Sequence, residues 1–138
     1  MSLHLRILTP TGPVMDGHVK EVTASGLEGE FGVLGGHLPF VTALKIGPAV
    51  FTEAESFEPR HFALGSGYAE VIKDRVTLFV ESAEESVEID IDRAQRALVR
   101  ADKEMDELPS LETTHPDFVR VLSAKQRAEN RIFVASKK

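Results

Sequence analysis

Six glycines between residues 26 and 47 divide the apolar residues of this stretch into segments too short for a helix. Because glycine takes positive φ at little cost, we interpret these positions as turns and bulges around short strands over 33–34 and 40–44. Taken separately, each of these glycines could simply be a hairpin-turn residue. The six positions are Gly26, Gly29, Gly32, Gly35, Gly36 and Gly47.

Short apolar segments continue on both sides of this stretch. Leu3, Leu5 and Ile7 alternate with His4 and Arg6, as expected for a strand with one buried face. Residues 76–80, Val-Thr-Leu-Phe-Val, are rich in β-branched and aromatic residues and make the clearest strand. Further strands are predicted over 19–24, 49–52, 60–64 and 68–72. Many short strands separated by turn signals favour an antiparallel β-sandwich or barrel over a βαβ unit.

The apolar spacing changes near residue 88 from two residues to three and four, which is typical of amphipathic helices. A first helix is predicted over 89–107, before Pro109, and a second is predicted to begin at Pro116 with Thr114 or His115 as its cap. Both carry alanine-rich stripes, which allow two helices to approach closely. We therefore predict an α+β protein with a β-domain over 1–87 and an antiparallel helical hairpin over 88–138.

Charge and composition exclude several classes of protein. The net charge is −6, and residues 1–87 carry 6 Lys and Arg against 12 Asp and Glu, which argues against a nucleic-acid binder. The absence of cysteine excludes disulfides and thiol catalysis. No apolar segment approaches the ~20 residues of a membrane-spanning helix, and we expect no signal peptide.

Catalytic and metal-binding patterns are missing from the sequence. The histidines show no metal-ligand spacing, and neither a phosphate-binding loop nor a nucleophile elbow is present. We therefore predict a protein that is not an enzyme and that has no metal site.

Four arginines of the helical segment suggest an anion site. Arg93 and Arg100 lie on the first predicted helix, Arg127 and Arg131 on the second, and closure of the hairpin would gather their guanidinium groups. Arginine forks match phosphate oxygens, and small alanines leave room for a flat base. The alternative is ordinary surface pairing, for which the available carboxylates are Asp90, Asp92, Asp102 and Glu129.

The glycine-rich stretch also resembles a known family signature. Residues 29–34 read Gly-Glu-Phe-Gly-Val-Leu, followed by Gly36-His37, by Pro39 and by Thr-Ala-Leu-Lys at 42–45. This pattern is similar to that of the epsilon subunit of F-type ATP synthases. It departs at Gly35, where the family usually has proline, and at Leu38, where it usually has alanine. The resemblance implies a two-sheet β-sandwich followed by a helical hairpin.

A second motif supports the same resemblance. Residues 89–94, Ile-Asp-Ile-Asp-Arg-Ala, resemble the (Ile/Leu)-Asp-x-x-Arg-Ala motif of epsilon subunits whose folded hairpin binds ATP without catalysis. In that interpretation the Asp90 carboxylate accepts a hydrogen bond from the adenine amino group, although Asp90 could equally be a helix N-cap. The nucleotide-binding residues implied by the family are Glu84, Ile89, Asp90, Arg93, Ala94, Arg100, Arg127 and Arg131.

The resemblance implies a noncatalytic rotor subunit in the central stalk of the enzyme. Its partners would be the gamma subunit, the c-ring and the catalytic alpha and beta subunits, with no nucleic acid and no cofactor other than regulatory ATP. Its location would be the cytoplasmic face of the bacterial inner membrane, peripheral through the complex. Contacts with gamma or the c-ring are expected at Glu28, Gly29, Glu30, Phe31, Gly36 and His37.

In this interpretation the sandwich couples rotation to proton transport and ATP synthesis, while the extended hairpin blocks ATP hydrolysis. A free-standing adenine-nucleotide sensor is the alternative, and it would explain the arginines but not the glycine-rich loop. A small enzyme is the weakest of the three classes, because no nucleophile, base or metal constellation can be assembled.

Overall fold

A β-sandwich followed by a helical hairpin makes up residues 2–36, 39–110 and 112–138, the part of the chain that this computed structural model describes. The helices are α1 (Ile91–Glu107) and α2 (Pro116–Ala135), and a short 3₁₀ helix, Ser86–Glu88, precedes them. The described strands are β1 (Leu3–Thr9), β2 (Gly12–Gly26), β3 (Gly29–Leu34), β4 (Phe40–Leu44), β5 (Gly47–Glu53), β6 (Pro59–Leu64), β7 (Gly67–Ile72), β8 (Arg75–Val80) and β9 (Ala83–Glu85).

The long strand β2 belongs to both layers of the sandwich. Its first half pairs with β1, which continues through β8 and β7 to β4. Its second half pairs with β3 on one side and with β5 on the other, and β6 and β9 follow β5. The sandwich and the hairpin predicted from the sequence are therefore confirmed.

Three details of the sandwich differ from the prediction. Strand β1 pairs with β8 in parallel, with Leu5 opposite Val76, in an otherwise antiparallel arrangement of the described strands. Strand β2 begins at Gly12 instead of Val19, because pairing with β1 extends it through turn-forming residues. Strand β9 was missed because Ala-Glu-Glu has little intrinsic strand preference.

The core lies between the two layers and comes from alternate strand positions, as the pattern of β1 predicted. Leu3, Leu5 and Ile7 are fully buried. Phe51 and Phe62 stack with ring centroids 5.4 Å apart at the β5–β6 side of the core. This side carries the elements that meet the hairpin.

The glycines of the 26–47 stretch serve two different purposes. Gly29 and Gly36 have φ of 138° and 81°, so they occupy backbone conformations that other residues rarely adopt. Gly47 is needed for space instead, because a Cβ there would lie 2.5 Å from Ser25 Oγ. His37 and Leu38, which the family signature includes, lie outside the described residues.

The helix ends follow the sequence signals closely. Helix α1 begins at Ile91 instead of residue 89, because the Asp90 side chain caps it by accepting a hydrogen bond from the Arg93 amide at 3.1 Å. Helix α2 begins at Pro116, and His115 caps it through Nδ1, which accepts from the Asp117 amide. Of the two predicted caps, His115 is therefore the one used.

The two helices form the predicted antiparallel hairpin. Ala94 and Ala101 of α1, with Val121 and Ala128 of α2, are buried along the helices. Ion pairs flank this seam, with Arg120 Nη1 3.3 Å from Glu104 Oε2 and Lys125 Nζ 3.1 Å from Asp102 Oδ1. Hydrogen bonding to Asp102 raises the pKa of Lys125.

The hairpin docks on the sandwich through a small apolar cluster. Ala63 of β6 is buried with Ile89, Val134 and Ala135, which come from the linker and the end of α2. The predicted domain boundary after residue 87 falls inside the 3₁₀ helix, and the independence of the two parts stays a prediction. Within the described ranges, neither helix has the length and apolar character needed to cross a membrane.

Candidate functional site

An ion pair between Glu84 and Arg131 connects the sandwich to the hairpin. Arg131 Nε of α2 donates to Glu84 Oε1 of β9 at 2.6 Å, and both side chains are partly exposed. Arg127, one helical turn earlier, lines the same small cavity of about 10 Å³ as Glu84 and Arg131. The structure therefore brings together three of the residues that the family motif assigns to a nucleotide.

One further hydrogen bond joins the hairpin to the sandwich, and a second joins the end of the chain to the linker before α1. Asn130 is 9% exposed, and its Nδ2 donates to the carbonyl oxygen of Leu64 at 3.4 Å. Lys138 Nζ donates to the carbonyl oxygen of Ile89 at 3.0 Å. Polar groups thus contribute to docking beside the apolar cluster, which is small.

Asn130 was not predicted, because the apolar stripe recognised in the sequence of α2 is the one that faces α1. A second stripe is visible in the same helix at spacings of three and four residues. It consists of Arg127, Asn130, Arg131 and Val134, and it faces the sandwich. This second periodicity was the available signal for a docked helix.

The four arginines that were predicted to form an anion site lie along one edge of the hairpin, which we call the arginine edge. The Glu104–Arg120 pair identifies the edges of α1 and α2 that meet on that side. Helical spacing of four and eleven residues from Glu104 places Arg100 and Arg93 on this edge. Spacing of seven and eleven residues from Arg120 adds Arg127 and Arg131 from the facing helix.

Three of these arginines remain without carboxylate partners in the described part of the chain. Arg93, Arg100 and Arg127 form no ion pair within 4 Å there, and Arg93 and Arg100 are exposed. The surface pairing considered from sequence is not formed, since Asp102 binds Lys125 and Asp90 caps α1. The edge therefore carries uncompensated positive charge.

The remaining motif residues have structural positions of their own. Ile89 and Ala94 are 3% and 2% exposed, so their side chains serve packing. Asp90 is the N-cap of α1, which confirms that alternative, while its role toward adenine stays a prediction. Arg96 was not selected from the sequence; it lies three residues after Arg93 and four before Arg100, and it lines an open groove of about 460 Å³ with Arg100.

The residues expected to contact gamma or the c-ring lie at both ends of β3. Glu28, Gly29 and Glu30 are exposed at its start, where a shallow groove of about 340 Å³ includes them. Phe31 is half-buried and packs edge-on against Phe40. Gly36 follows the far end of the strand, about 17 Å away at ~3.3 Å per residue. There its amide donates to Asp74 Oδ1 at 2.7 Å, and His37 lies outside the described residues.

An exposed apolar face on β4, β7 and β8 was not found from the sequence. Val41 is 69% exposed, Tyr68 62% and Phe79 43%, and Tyr68 is directly opposite Phe79 in the sheet. An adjoining groove of about 580 Å³ continues this face to Leu8 and Leu44. The signal was available, because the outward positions of β7 and β8 include Tyr68, Ile72 and Phe79 where a solvated face would be polar.

The fold and the site together define a two-part chain in which a β-sandwich carries a helical hairpin held by few contacts. Within residues 2–36, 39–110 and 112–138, no group of three or more His, Asp or Glu side chains could hold a metal ion. The family model described as ATP synthase, Delta/Epsilon chain, beta-sandwich domain, matches residues 2–86.

The full length of the chain is similar to ATP synthase epsilon chains. That of Citrifermentans bemidjiense is 43% identical over 135 residues, which cover 98% of this chain and 94% of the relative. That of Nitratidesulfovibrio vulgaris is 41% identical over 133 residues, covering 96% and 95%. The chain belongs to the ATP synthase epsilon-chain family, a family of noncatalytic subunits, which confirms both the resemblance and the interpretation as a non-enzyme.

Solved structures show the same fold at low sequence identity. A chain of the Euglena gracilis mitochondrial ATP synthase, solved with OSCP, F1 and the c-ring, superimposes with a TM-score of 0.80 and 21% identity. The superposition covers 94% of this chain and 78% of the Euglena chain. A chain from the central stalk and c-ring structure of the Tetrahymena thermophila enzyme gives a TM-score of 0.56 at 16% identity, covering 99% and 96%.

Proposed function

We propose that this chain is a rotor subunit of the central stalk, which couples rotation of the gamma subunit and c-ring to proton transport and ATP synthesis. Its hairpin inhibits ATP hydrolysis when extended and binds ATP when folded. The observation that carries the proposal is the combination of family membership over almost the whole chain with a hairpin held by one small apolar cluster and a few polar contacts.

The apolar face around Tyr68 and Phe79 is the proposed binding surface for gamma. Large apolar side chains exposed together mark protein contacts on small domains. Tyr68 and Phe79 lie side by side, and the adjoining groove extends the apolar surface to Leu8 and Leu44. Aromatic side chains next to a groove are the residues expected to dominate such an interface.

The acidic end of β3 is the proposed c-ring contact. Glu28 and Glu30 are exposed next to Gly29, whose positive φ fixes the shape of the turn. Two carboxylates on a tight turn would meet polar or basic loops of a membrane rotor and would add specificity more than affinity. The subunit would then lie at the cytoplasmic face of the bacterial inner membrane without entering it.

The hairpin is proposed to inhibit hydrolysis by extending along gamma toward the catalytic subunits. Residues 117–138 carry 6 Lys and Arg against 2 Asp and Glu, which suits an acidic surface on those subunits. The docked state buries a cluster that includes two alanines, so its free energy advantage over an undocked state is small. A switch of this kind requires two states of similar free energy.

The arginine edge is the proposed site of regulatory ATP. Arg93, Arg100 and Arg127 lack carboxylate partners among the described residues, and a triphosphate would relieve their mutual repulsion. Arg131 would exchange part of its interaction with Glu84 for phosphate oxygens. A free-standing nucleotide sensor would explain this edge, but it would leave the apolar sheet face and the acidic turn without a role.

Binding to gamma tests the rotor assignment through paired variants of the full chain. Tyr68→Glu and Phe79→Glu should each weaken capture by immobilised gamma at least about tenfold, because a charge would enter an apolar contact. The matched control is Phe57→Glu, which changes an exposed aromatic residue between β5 and β6. Equal binding by all three variants would contradict the proposed surface.

A further inference from the structure

Arg60 of the sandwich binds β9, the strand that leads into the hairpin. It does so on the face of β9 opposite to the one that contacts the hairpin. Its Nε and Nη2 donate to the two carboxylate oxygens of Glu85 on β9, each at 2.8 Å. Its Nη1 donates to Glu53 Oε1 on β5 at 2.6 Å. One guanidinium on β6 therefore links three neighbouring strands, β5, β6 and β9.

The two parallel hydrogen bonds from Arg60 to Glu85 form a bidentate fork. The environment of Arg60 makes this fork stronger than an ordinary surface ion pair. The guanidinium carbon lies 5.3 Å from the ring centre of Phe51 and 5.5 Å from that of Phe62. The Glu85 side chain is only 17% exposed. Hydrogen bonding to Arg60 lowers the pKa of Glu85, and the same bond raises the pKa of Arg60. Bidentate, partly buried pairs of this kind are the strongest class of side-chain hydrogen bonds.

Alternation along β9 gives its two glutamates different partners. Glu84 is opposite Ala63, which packs against α2, whereas Glu85 is opposite Phe62, which lies in the sandwich core. Consecutive strand residues point to opposite faces. The carboxylate of Glu84 therefore reaches the hairpin at Arg131, while that of Glu85 reaches the sandwich at Arg60.

Backbone pairing contributes little to holding β9. The strand has three residues and pairs with β6 at the edge of its layer. Short edge strands with few ladder bonds open readily. Without a side-chain anchor, β9 would be expected to leave the sheet whenever the hairpin leaves the sandwich.

We propose that Arg60 anchors β9 to the sandwich independently of the hairpin, so that an undocking hairpin pivots about residues 86–90 and leaves Glu84 in place. The pivot then begins at the 3₁₀ helix Ser86–Glu88 and ends at the Asp90 cap. This inference deepens the proposed function and rests on it where Glu84 is called part of the nucleotide site. The anchoring of β9 by Arg60 does not rest on the proposed function.

Hydrogen exchange of the full chain, followed by mass spectrometry, tests the anchor with two glutamine variants. Arg131→Gln removes the ion pair that joins β9 to the hairpin. Glu85→Gln removes the fork that joins β9 to Arg60 of the sandwich. Arg131→Gln should speed exchange in the last turns of α2 while residues 83–85 stay within about twofold of the wild type. Glu85→Gln should speed exchange at 83–85 about tenfold, the loss expected for one charge-assisted fork.

Two outcomes would overturn the anchor. One is acceleration of residues 83–85 together with α2 in Arg131→Gln, which would mean that β9 leaves with the hairpin. The other is uniform acceleration across β1 and β8 in Glu85→Gln, which would mean that Arg60 only adds global stability. Arg60→Lys retains the charge but not the fork, and it should reproduce Glu85→Gln at 83–85. Thermal shift with ATP, measured in parallel on the wild type, reports failure of the nucleotide site separately.

Discussion

Glu84 and Glu85 are consecutive residues of β9, yet Glu84 pairs with Arg131 of the hairpin and Glu85 with Arg60 of the sandwich. The two ion pairs lie on opposite faces of a three-residue strand. The connection between the two parts of the molecule is therefore held from both sides. Changes at one carboxylate can be separated experimentally from changes at the other.

The acid stability of the sandwich should depend on Glu85. Because Arg60 lowers its folded pKa below the ordinary 4.5, this carboxylate stabilises the fold above that pH and loses the contribution as the pH falls through the lowered folded value. At pH 7, Glu85→Gln should reduce the free energy of unfolding by about 1–3 kcal/mol.

The measurement is denaturant unfolding at a series of pH values for the wild type and Glu85→Gln. The difference between the two proteins should shrink below the ordinary carboxyl pKa. Glu58→Gln, at an exposed position next to β6, is the control and should cost within ~0.5 kcal/mol at every pH. A difference that persists unchanged at low pH would contradict the account.

ATP should stabilise the folded hairpin through the arginine edge. A ligand that binds only this state adds about 1.4 kcal/mol at ten times its Kd, so the Tm should rise with ATP more than with ADP or buffer. Arg127→Ala should abolish the difference, because it removes a guanidinium without breaking the Glu84–Arg131 pair.

The matched control for that prediction is Arg75→Ala, at an exposed position of β8 on the sandwich and away from the hairpin. It should retain the ATP-dependent shift. Absence of both heat in titration calorimetry and a thermal shift at millimolar ATP, with the hairpin docked, would leave these arginines as ordinary surface charge.

Inhibition of hydrolysis should depend on positive charge in α2. Replacing Lys125, Arg127 and Arg131 with alanine should raise the ATPase rate of the assembled complex, since the extended helix would lose attraction to an acidic surface. The same loss of three positive charges outside α2, at the exposed Lys45, Lys73 and Lys103, serves as the control. Equal ATPase rates for the wild type and the α2 variant would argue that this hairpin does not inhibit.

A chain ending at residue 87 should fold on its own. Among the residues that the structure describes, the main core contains no hairpin residue, so removal of the helices exposes Ala63 and the surface of β5 and β6 around it but leaves that core intact. We expect cooperative unfolding and retained binding to gamma and the c-ring. Loss of the cooperative transition in this shortened chain would contradict the division into two parts.

Most of the fold was predictable because its signals are local. Glycine spacing and short alternating segments indicated the sandwich, while Pro109, Pro116 and the change of apolar period indicated both helices. The parallel pairing of β1 with β8 joins residues about 70 positions apart, and no local pattern encodes a partner at that distance. Strand β9 forms because β6 offers an edge and Arg60 holds Glu85, which its own sequence does not indicate.

The residues of the candidate site could be predicted from the sequence, but the contacts between them could not. The family motif selected Glu84, Arg127 and Arg131, which lie around one small cavity. It did not predict that Glu84 would hold Arg131, nor that Asn130 would be buried against β6. These contacts depend on the face that α2 turns toward the sandwich, which follows from packing of the whole hairpin.

Native purification from the source cells tests the central claim most directly. With an affinity tag on the gamma subunit, this chain should be recovered in an amount equal to that of gamma, together with the catalytic subunits and the c-ring. Tyr68→Glu introduced into the chain should reduce that recovery, while Phe57→Glu should not. Recovery of the other subunits without this chain would contradict its role as a rotor subunit.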